Sequence, residues 1–284
     1  MILGKTNISP IPFYNEVSLQ NHRKDYAFGQ VYPLIVPSNA LLPFQVILDE
    51  AATFFTEVRL HSHDDAGSYL DITTDMHSTG LNIKTFEGYN LLVYPGNLPI
   101  PQALPEGKYY LAIKLNTGTI YSDVFTLVPS TSCFLALEYY NLRNLAMPIG
   151  HIDFSENFKF KCYIPSQIGK PEYVFEEEAT DRMGYAYIES QISKKVYKFV
   201  FIAPEYLCDA LRIVRLCSAK TIKENQNVYE LSTFSMEPKW EEQGDLASVE
   251  CEFETDTVIT SICGYSALLG GDFNDDFNDD FNKK

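Results

Sequence analysis

Residues 196–216 constrain the fold more than any other stretch, because the hydrophobic period changes in the middle of them. Up to Ala203 the apolar residues alternate, with Tyr197, Phe199 and Phe201 on one face, as in a half-buried strand. From Pro204 the period lengthens. Leu207, Ala210, Leu211 and Val214 fall at i, i+3, i+4 and i+7, while Glu205, Asp209, Arg212 and Arg215 point away. Pro204 suits a first helical turn and Glu205 the positive end of the helix dipole. The spacing predicts one amphipathic helix over about 204–217, roughly three to four turns long, seated on a sheet.

Elsewhere the periodicity is that of strands. From Val31 to Val128, runs rich in Val, Ile, Tyr and Phe recur between Pro, Gly and Asn: Val31–Val36, Phe44–Leu48, Glu57–His61, Leu81–Phe86, Asn90–Tyr94, Lys108–Leu115 and Ile120–Val128. Such spacing predicts a sandwich of the immunoglobulin-like kind. Its clearest hairpin runs from Tyr109 through Asn116-Thr-Gly118 to Val128, with Tyr109, Leu111, Ile113 and Leu115 on one face. Small polar residues at Pro129-Ser-Thr-Ser132 mark a boundary.

Beyond it, strands are expected at Cys133–Tyr139, Phe158–Ile164, Glu172–Ala179, Thr180–Ile188, Val196–Ala203, Lys220–Lys223 and Val228–Phe234, with Glu224-Asn-Gln-Asn227 as a hairpin turn. The last expected strand, Ser248–Thr255, alternates strictly, with Val249, Cys251 and Phe253 inward and Glu250, Glu252 and Glu254 outward. One sheet face is thus acidic and either wet or set against a partner. The acidic excursion Glu176-Glu-Glu-Ala-Thr-Asp181 reads as a solvated loop or hairpin tip.

The expected organisation is mainly β: an N-terminal arm (1–30), an Ig-like β-sandwich (31–128), a second β-sandwich or split-barrel domain with one packed helix (133–262), and an acidic low-complexity tail (266–284). The arm carries Pro10, Pro12 and the polar run Asn21–Asp25 without sustained periodicity. The tail repeats Phe-Asn-Asp-Asp and has nothing nearby to bury it; Phe273, Phe277 and Phe281, spaced by four, would form a stripe if it turned helical on a partner.

Charge narrows the partners. With 22 Lys and Arg against 38 Asp and Glu, the formal charge of -16 lacks the basic footprint of a phosphate-binding surface and argues against a nucleic-acid reader. No run approaches the roughly 20 apolar residues of a membrane span, and the N-terminus lacks the pattern of a signal peptide. The expected site of synthesis is therefore the cytoplasm. Six cysteines, none in a C-x-x-C pair, read as reduced packing residues.

Motifs for chemistry are sparse. His61-Ser-His-Asp-Asp65, with Asp75 and His77 as further donors, has the right atoms for zinc, but the pattern is also that of a strand end and its turn. Glu176, Glu177, Glu178 and Asp181 lack the alternating spacing and the glycine of a calcium loop. Neither a Gly-x-Ser-x-Gly elbow nor a phosphate-binding glycine loop is present. No cofactor or metal is called for, and the chain reads as non-enzymatic. Trp240 beside a turn reads as an amphipathic cap on the sandwich.

Five stretches carry a resemblance: Gly4–Phe13, Ile168-Gly-Lys-Pro-Glu-Tyr-Val-Phe-Glu-Glu-Glu178, Ile192–Phe199, Ala203–Leu211 and Trp240–Val249. Together they are similar to proteins encoded among the tail genes of Bacteroides-type phages and prophages. The resemblance implies a structural protein of the virion tail, made in the host cytoplasm. Tail tube and distal tail proteins use a sandwich or split barrel with one flanking helix and form rings around an acidic lumen. It also implies self-association and contact with other tail proteins.

The expected contact elements are the arm around Phe13 and Tyr14, the acidic stretch Glu176, Glu177, Glu178 and Asp181, and the tail residues Phe273, Phe277 and Phe281. A carbohydrate-binding or host-adhesion module is the alternative, motivated by tyrosines such as Tyr69, Tyr89 and Tyr94. A metal-dependent hydrolase stands third.

Overall fold

The computed structural model describes residues 2, 8–16, 34–63, 65, 67–96, 104–142, 152–155, 158–182, 185–240, 246–255 and 259–262. The chain is mainly β. In its first half lie β1 (Phe13–Tyr14), β2 (Leu34–Pro37), β3 (Phe44–Leu48), β4 (Phe55–Ser62), β5 (Tyr69–Asp71), helix α1 (Thr73–Ser78), β6 (Asn82–Phe86), β7 (Tyr89–Tyr94), β8 (Gly107–Leu115), β9 (Gly118–Ser122) and β10 (Phe125–Val128). There follow β11 (Leu135–Tyr140), β12 (Phe160–Ile164), β13 (Glu172–Arg182), β14 (Tyr185–Pro204), helix α2 (Glu205–Leu211), a 3-10 turn (Arg212–Leu216), β15 (Ala219–Glu224), β16 (Asn227–Trp240), β17 (Leu246–Thr255) and β18 (Ile259–Ile262).

One sheet threads the whole chain in the order β1-β9-β8-β10-β2-β12-β11-β15-β16-β17-β14-β13, with β4 and β5 branching from β8 and β18 from β14. The two halves meet where Tyr163 of β12 pairs with Ile35 of β2. A second sheet, β3-β7-β6, has three strands. Successive side chains of a strand point to opposite faces, and β7 uses both. Leu92 and Tyr94 enter one core with Phe44, Val58, Leu111 and Phe125, whereas Leu91 and Val93 enter the other with Phe160, Phe199 and Leu211. The small sheet is therefore a shared middle layer. Buried Gln45 ties it further to the second half, donating to the Asp153 carbonyl at 2.5 Å and accepting from the Asp153 N–H at 3.0 Å.

The expected helix is present, but it is shorter as an α-helix than its period suggested. After Leu211 it tightens into the 3-10 turn, and Pro204 is the extended residue before it rather than part of its first turn. The predicted apolar stripe holds: Leu207, Ala210, Leu211 and Val214 are buried, while Glu205, Arg212 and Arg215 are exposed. Burying each large aliphatic side chain of this stripe contributes about 1.5–3 kcal/mol. The Tyr139 hydroxyl donates to the Ala210 carbonyl at 3.5 Å beneath it.

Several strand boundaries differ from expectation. The run Ile120–Val128 splits at Asp123 and Val124, so that β10 can leave β9 and pair with β8 and, in parallel, with β2. Gly118 opens β9 at φ 147°, a conformation that strains a residue with a side chain. Glu224 and Asn227 close the β15–β16 turn as expected, with Asn225 at φ 54°. On β17 the alternation holds, Val249, Cys251 and Phe253 being buried. Helix α1 was not foreseen: only Met76 of its six residues is buried, so it has no apolar period to read.

Candidate functional site

The outstanding surface feature grows from β14. Its C-terminal part, from Val196 to Pro204, pairs with β17 and seats Phe199, Phe201 and Ala203 in the core. Its N-terminal part, from Tyr185 to Lys195, runs on past that core, paired with β13 along its full length and with β18 at Ser190–Ser193. At about 3.3 Å per residue this extension measures roughly 35 Å. The acidic stretch Glu176–Glu178 is thus neither loop nor tip. It is regular strand, and the backbone of Asp181 continues it. A bulge between Glu178 and Ala179 shifts the register there and adds local twist.

Every residue of β13 from Glu172 to Thr180 is exposed. Tyr173 and Phe175 project on the face that further along β14 becomes the core face, yet they are 60% and 69% exposed. β13 is also the last strand of the long sheet, so its outer edge has no paired strand among the described residues. A hairpin without a covered face is marginal in water, and an uncovered edge strand is a template for another strand.

The opposite face carries a ladder of charges. Lys194 bridges Glu176 at 2.7 Å and Glu254 at 3.8 Å, Lys198 bridges Glu172 at 3.2 Å and Glu252 at 3.4 Å, and Lys239 meets Glu250 at 2.9 Å. The hydrogen bonds that Lys194 and Lys198 donate to Glu176 and Glu172 hold both lysines above the ordinary lysine range. Exposed pairs of this kind are screened by solvent and add little stability; they fix register more than stability. Glu237 faces Glu250, so carboxylates still outnumber the lysines on this face. Val200 and Ile202 lie exposed on it, 53% and 57%.

The structure separates the remaining candidates. Phe13 is a core residue, its ring centroid 4.8 Å from that of Phe44, and β1 pairs with β9 of its own chain through Phe13–Ser122 and Tyr14–Tyr121. The arm here serves intramolecular packing, and Tyr14 alone of the pair is half-buried. Phe273, Phe277 and Phe281 lie outside the described residues, as does residue 64 of the histidine motif. Alternation along β13 puts Glu176 and Glu178 on one face and Glu177 on the other, which spreads rather than gathers these carboxylates. Glu177 accepts from the Gln191 amide at 2.9 Å.

Two of the motif's imidazoles are engaged with aromatic rings. His61 stacks on Tyr110 with centroids 5.0 Å apart, and His77 stacks on Phe55 at 4.3 Å. Burial and neighbouring Arg59 hold His61 below the ordinary histidine range. Among the described residues no three His, Cys, Asp or Glu side chains gather as a metal site would require. Cys162, Cys208, Cys217 and Cys251 are buried, as expected of packing thiols, but Cys133 is exposed. Among the described residues no helix is long and apolar enough to cross a membrane.

The full extent of the hairpin escaped the sequence reading. Strand character was legible at Glu172–Ala179 and Thr180–Ile188, while the acidic run Glu176–Asp181 read as a loop or hairpin tip. The chain matches no family model, no curated protein and no solved structure.

Proposed function

We propose that this chain is a non-enzymatic structural protein of a phage tail or tail tip that assembles into an oligomeric ring. The observation that carries the reading is the β13–β14 hairpin: an 11-residue edge strand, exposed from Glu172 to Thr180, with Tyr173 and Phe175 in water on an extension of the core face. Such a face has a use when a second subunit covers it. Contact with a second subunit shields the edge of β13 from other strands, and the aromatic pair supplies anchors of the type that dominate interface energies. The resemblance noted above supplies the tail context, and the acidic character of the chain suits a wall past which DNA slides.

Sedimentation velocity up to about 1 mM protein, with negative-stain electron microscopy of the assembled fraction, tests it. Closed rings support the reading. A strict monomer across that range, with no ring in any image, removes it.

One observation favours a second reading, host-glycan binding. Exposed Tyr69 lies 5.4 Å from His61, which stacks on Tyr110, and Arg59 sits 4.4 Å over the Tyr69 ring. An aromatic platform flanked by Glu57 and Asp71 offers stacking and hydrogen bonds of the sort sugars use. Of the other tyrosines considered for this role, Tyr94 is fully buried and Tyr89 half-buried against Phe86. A glycan array on wild type and Tyr69→Ala separates the readings: signal lost in the variant supports glycan binding, and a blank array opposes it.

A further inference from the structure

A cleft of about 480 Å³ opens where the two halves join, between β11, β12 and the β15–β16 turn. Its charge runs against that of the chain as a whole. Lys161 and Lys223 reach the same Oε1 of Glu138, at 3.1 and 3.3 Å, so two ammonium groups share one carboxylate and a positive charge is left over. Burial depresses Lys161, but Tyr163 and Glu138 outweigh it and hold it above the ordinary lysine range. Phe134, Ala136 and Tyr163 form the apolar part of the wall, and Thr131 and Ser132 add hydroxyls at the rim. Its occupant should therefore carry a carboxylate next to an aromatic ring.

The chain itself displays that combination. Phe175 and Glu177, two apart on β13, project from the same face of the hairpin, and Phe175 is 69% exposed. We infer that, in the assembly proposed above, the β13 edge of one copy docks at the Lys161–Lys223 cleft of the next, Phe175 meeting the apolar wall and Glu177 the two lysines.

Self-pairing of β13 is the competing geometry, and charge opposes it. An antiparallel β13 pair centred on Glu177 places Glu176 opposite Glu178 on both sides, and like charges directly across strands are destabilising. Docking into the cleft joins two different surfaces of the chain. A contact of that kind is heterologous and propagates, closing into a ring where the rotation between subunits permits, whereas β13 self-pairing would stop at a dimer.

A charge swap within the full chain tests this contact separately from assembly itself. Glu177→Lys and Lys223→Glu are each expected to weaken the subunit dissociation constant at least about tenfold in sedimentation equilibrium, since each puts like charges together. The double variant restores the pair at every interface and should recover to within about threefold of wild type. Wild-type affinity should also fall as NaCl rises from 0.1 to 1 M, as screening requires. Both positions are exposed or nearly so, and unchanged far-ultraviolet circular dichroism confirms that each variant folds. Rings that are indifferent to both single changes and to salt overturn the docking while leaving the assembly reading in place. Single variants that weaken without recovery in the double variant also overturn it. A wild type that never leaves the monomer overturns both.

Discussion

Phe175 of β13 lies directly across from Ser193 of β14, on the same side of the sheet that buries Phe199 a few residues further along, and yet it is 69% exposed. The core face thus continues onto the hairpin, where nothing among the described residues covers Phe175. Replacing Phe175 by Asp should leave the monomer's stability within about 0.5 kcal/mol, as for other surface changes away from packed features. The same change should abolish the oligomer. Differential scanning calorimetry and sedimentation velocity on one preparation check both halves of this expectation.

Helix α2 behaves in the opposite way. Leu211 is fully buried between the helix and the sheet, so Leu211→Asp places a carboxylate in the core and should cost about 4 kcal/mol or more, enough to lose the cooperative unfolding transition. Arg212 is exposed and pairs with Asp209 only at 3.7 Å; Arg212→Ala should change stability by about 0.5 kcal/mol or less. Urea titrations of the two variants distinguish them.

Much of this contrast was legible in the sequence. The helical period from Leu207 to Val214 needs one apolar stripe, and the alternation from Val249 to Phe253 needs one buried face, so both patterns are explicit in the residues. The β13–β14 hairpin was less legible. The sequence from Tyr185 to Lys195 lacks a sustained apolar–polar alternation, and without that signal a single 20-residue strand reads as two short ones with a break. The shared sheet hid for the opposite reason: Leu91-Leu-Val-Tyr94 is buried on both faces, and a continuous apolar run does not say which core takes which residue. The lysine cleft depends on Lys161 and Lys223, far apart in the chain and brought together by their pairing with β11; local spacing carries no trace of it.

Cysteine chemistry offers a check on the core. Burial pushes the thiols of Cys162 and Cys217 up to about 12 and that of Cys208 up to about 11, and it raises that of Cys251 as well. Only thiolates react readily with disulfide reagents. At pH 8, Cys133 should label within minutes and these four at least about a hundredfold more slowly until the protein is denatured. Peptide mapping by mass spectrometry assigns the sites.

Acid stability should reflect two half-buried carboxylates, Glu138 and Asp153. Burial raises the pKa of Glu138, but the hydrogen bonds and charges of Lys161 and Lys223 outweigh it and leave it lowered; for Asp153, burial is outweighed by hydrogen bonds from Ser155 and Lys84. A carboxyl depressed in the folded state binds protons more weakly there than in the unfolded chain. The stability it contributes is complete above the unfolded value of about 4 and is lost as pH falls through the lower folded value. Urea midpoints should be level between pH 7 and 5 and decline below about pH 4, and Asp153→Asn should make that decline shallower. An unchanged slope in the variant contradicts this assignment.

If β13 is an interface strand, hydrogen–deuterium exchange will register its burial on assembly. Exchange followed by mass spectrometry, on samples of low and high protein concentration, reads the amides of Glu172–Arg182 in monomer and assembly. Amides on the outer edge of this strand should exchange quickly in the monomer and become strongly protected in the assembled protein. Rapid exchange along β13 in an assembly whose protection arises elsewhere would contradict it.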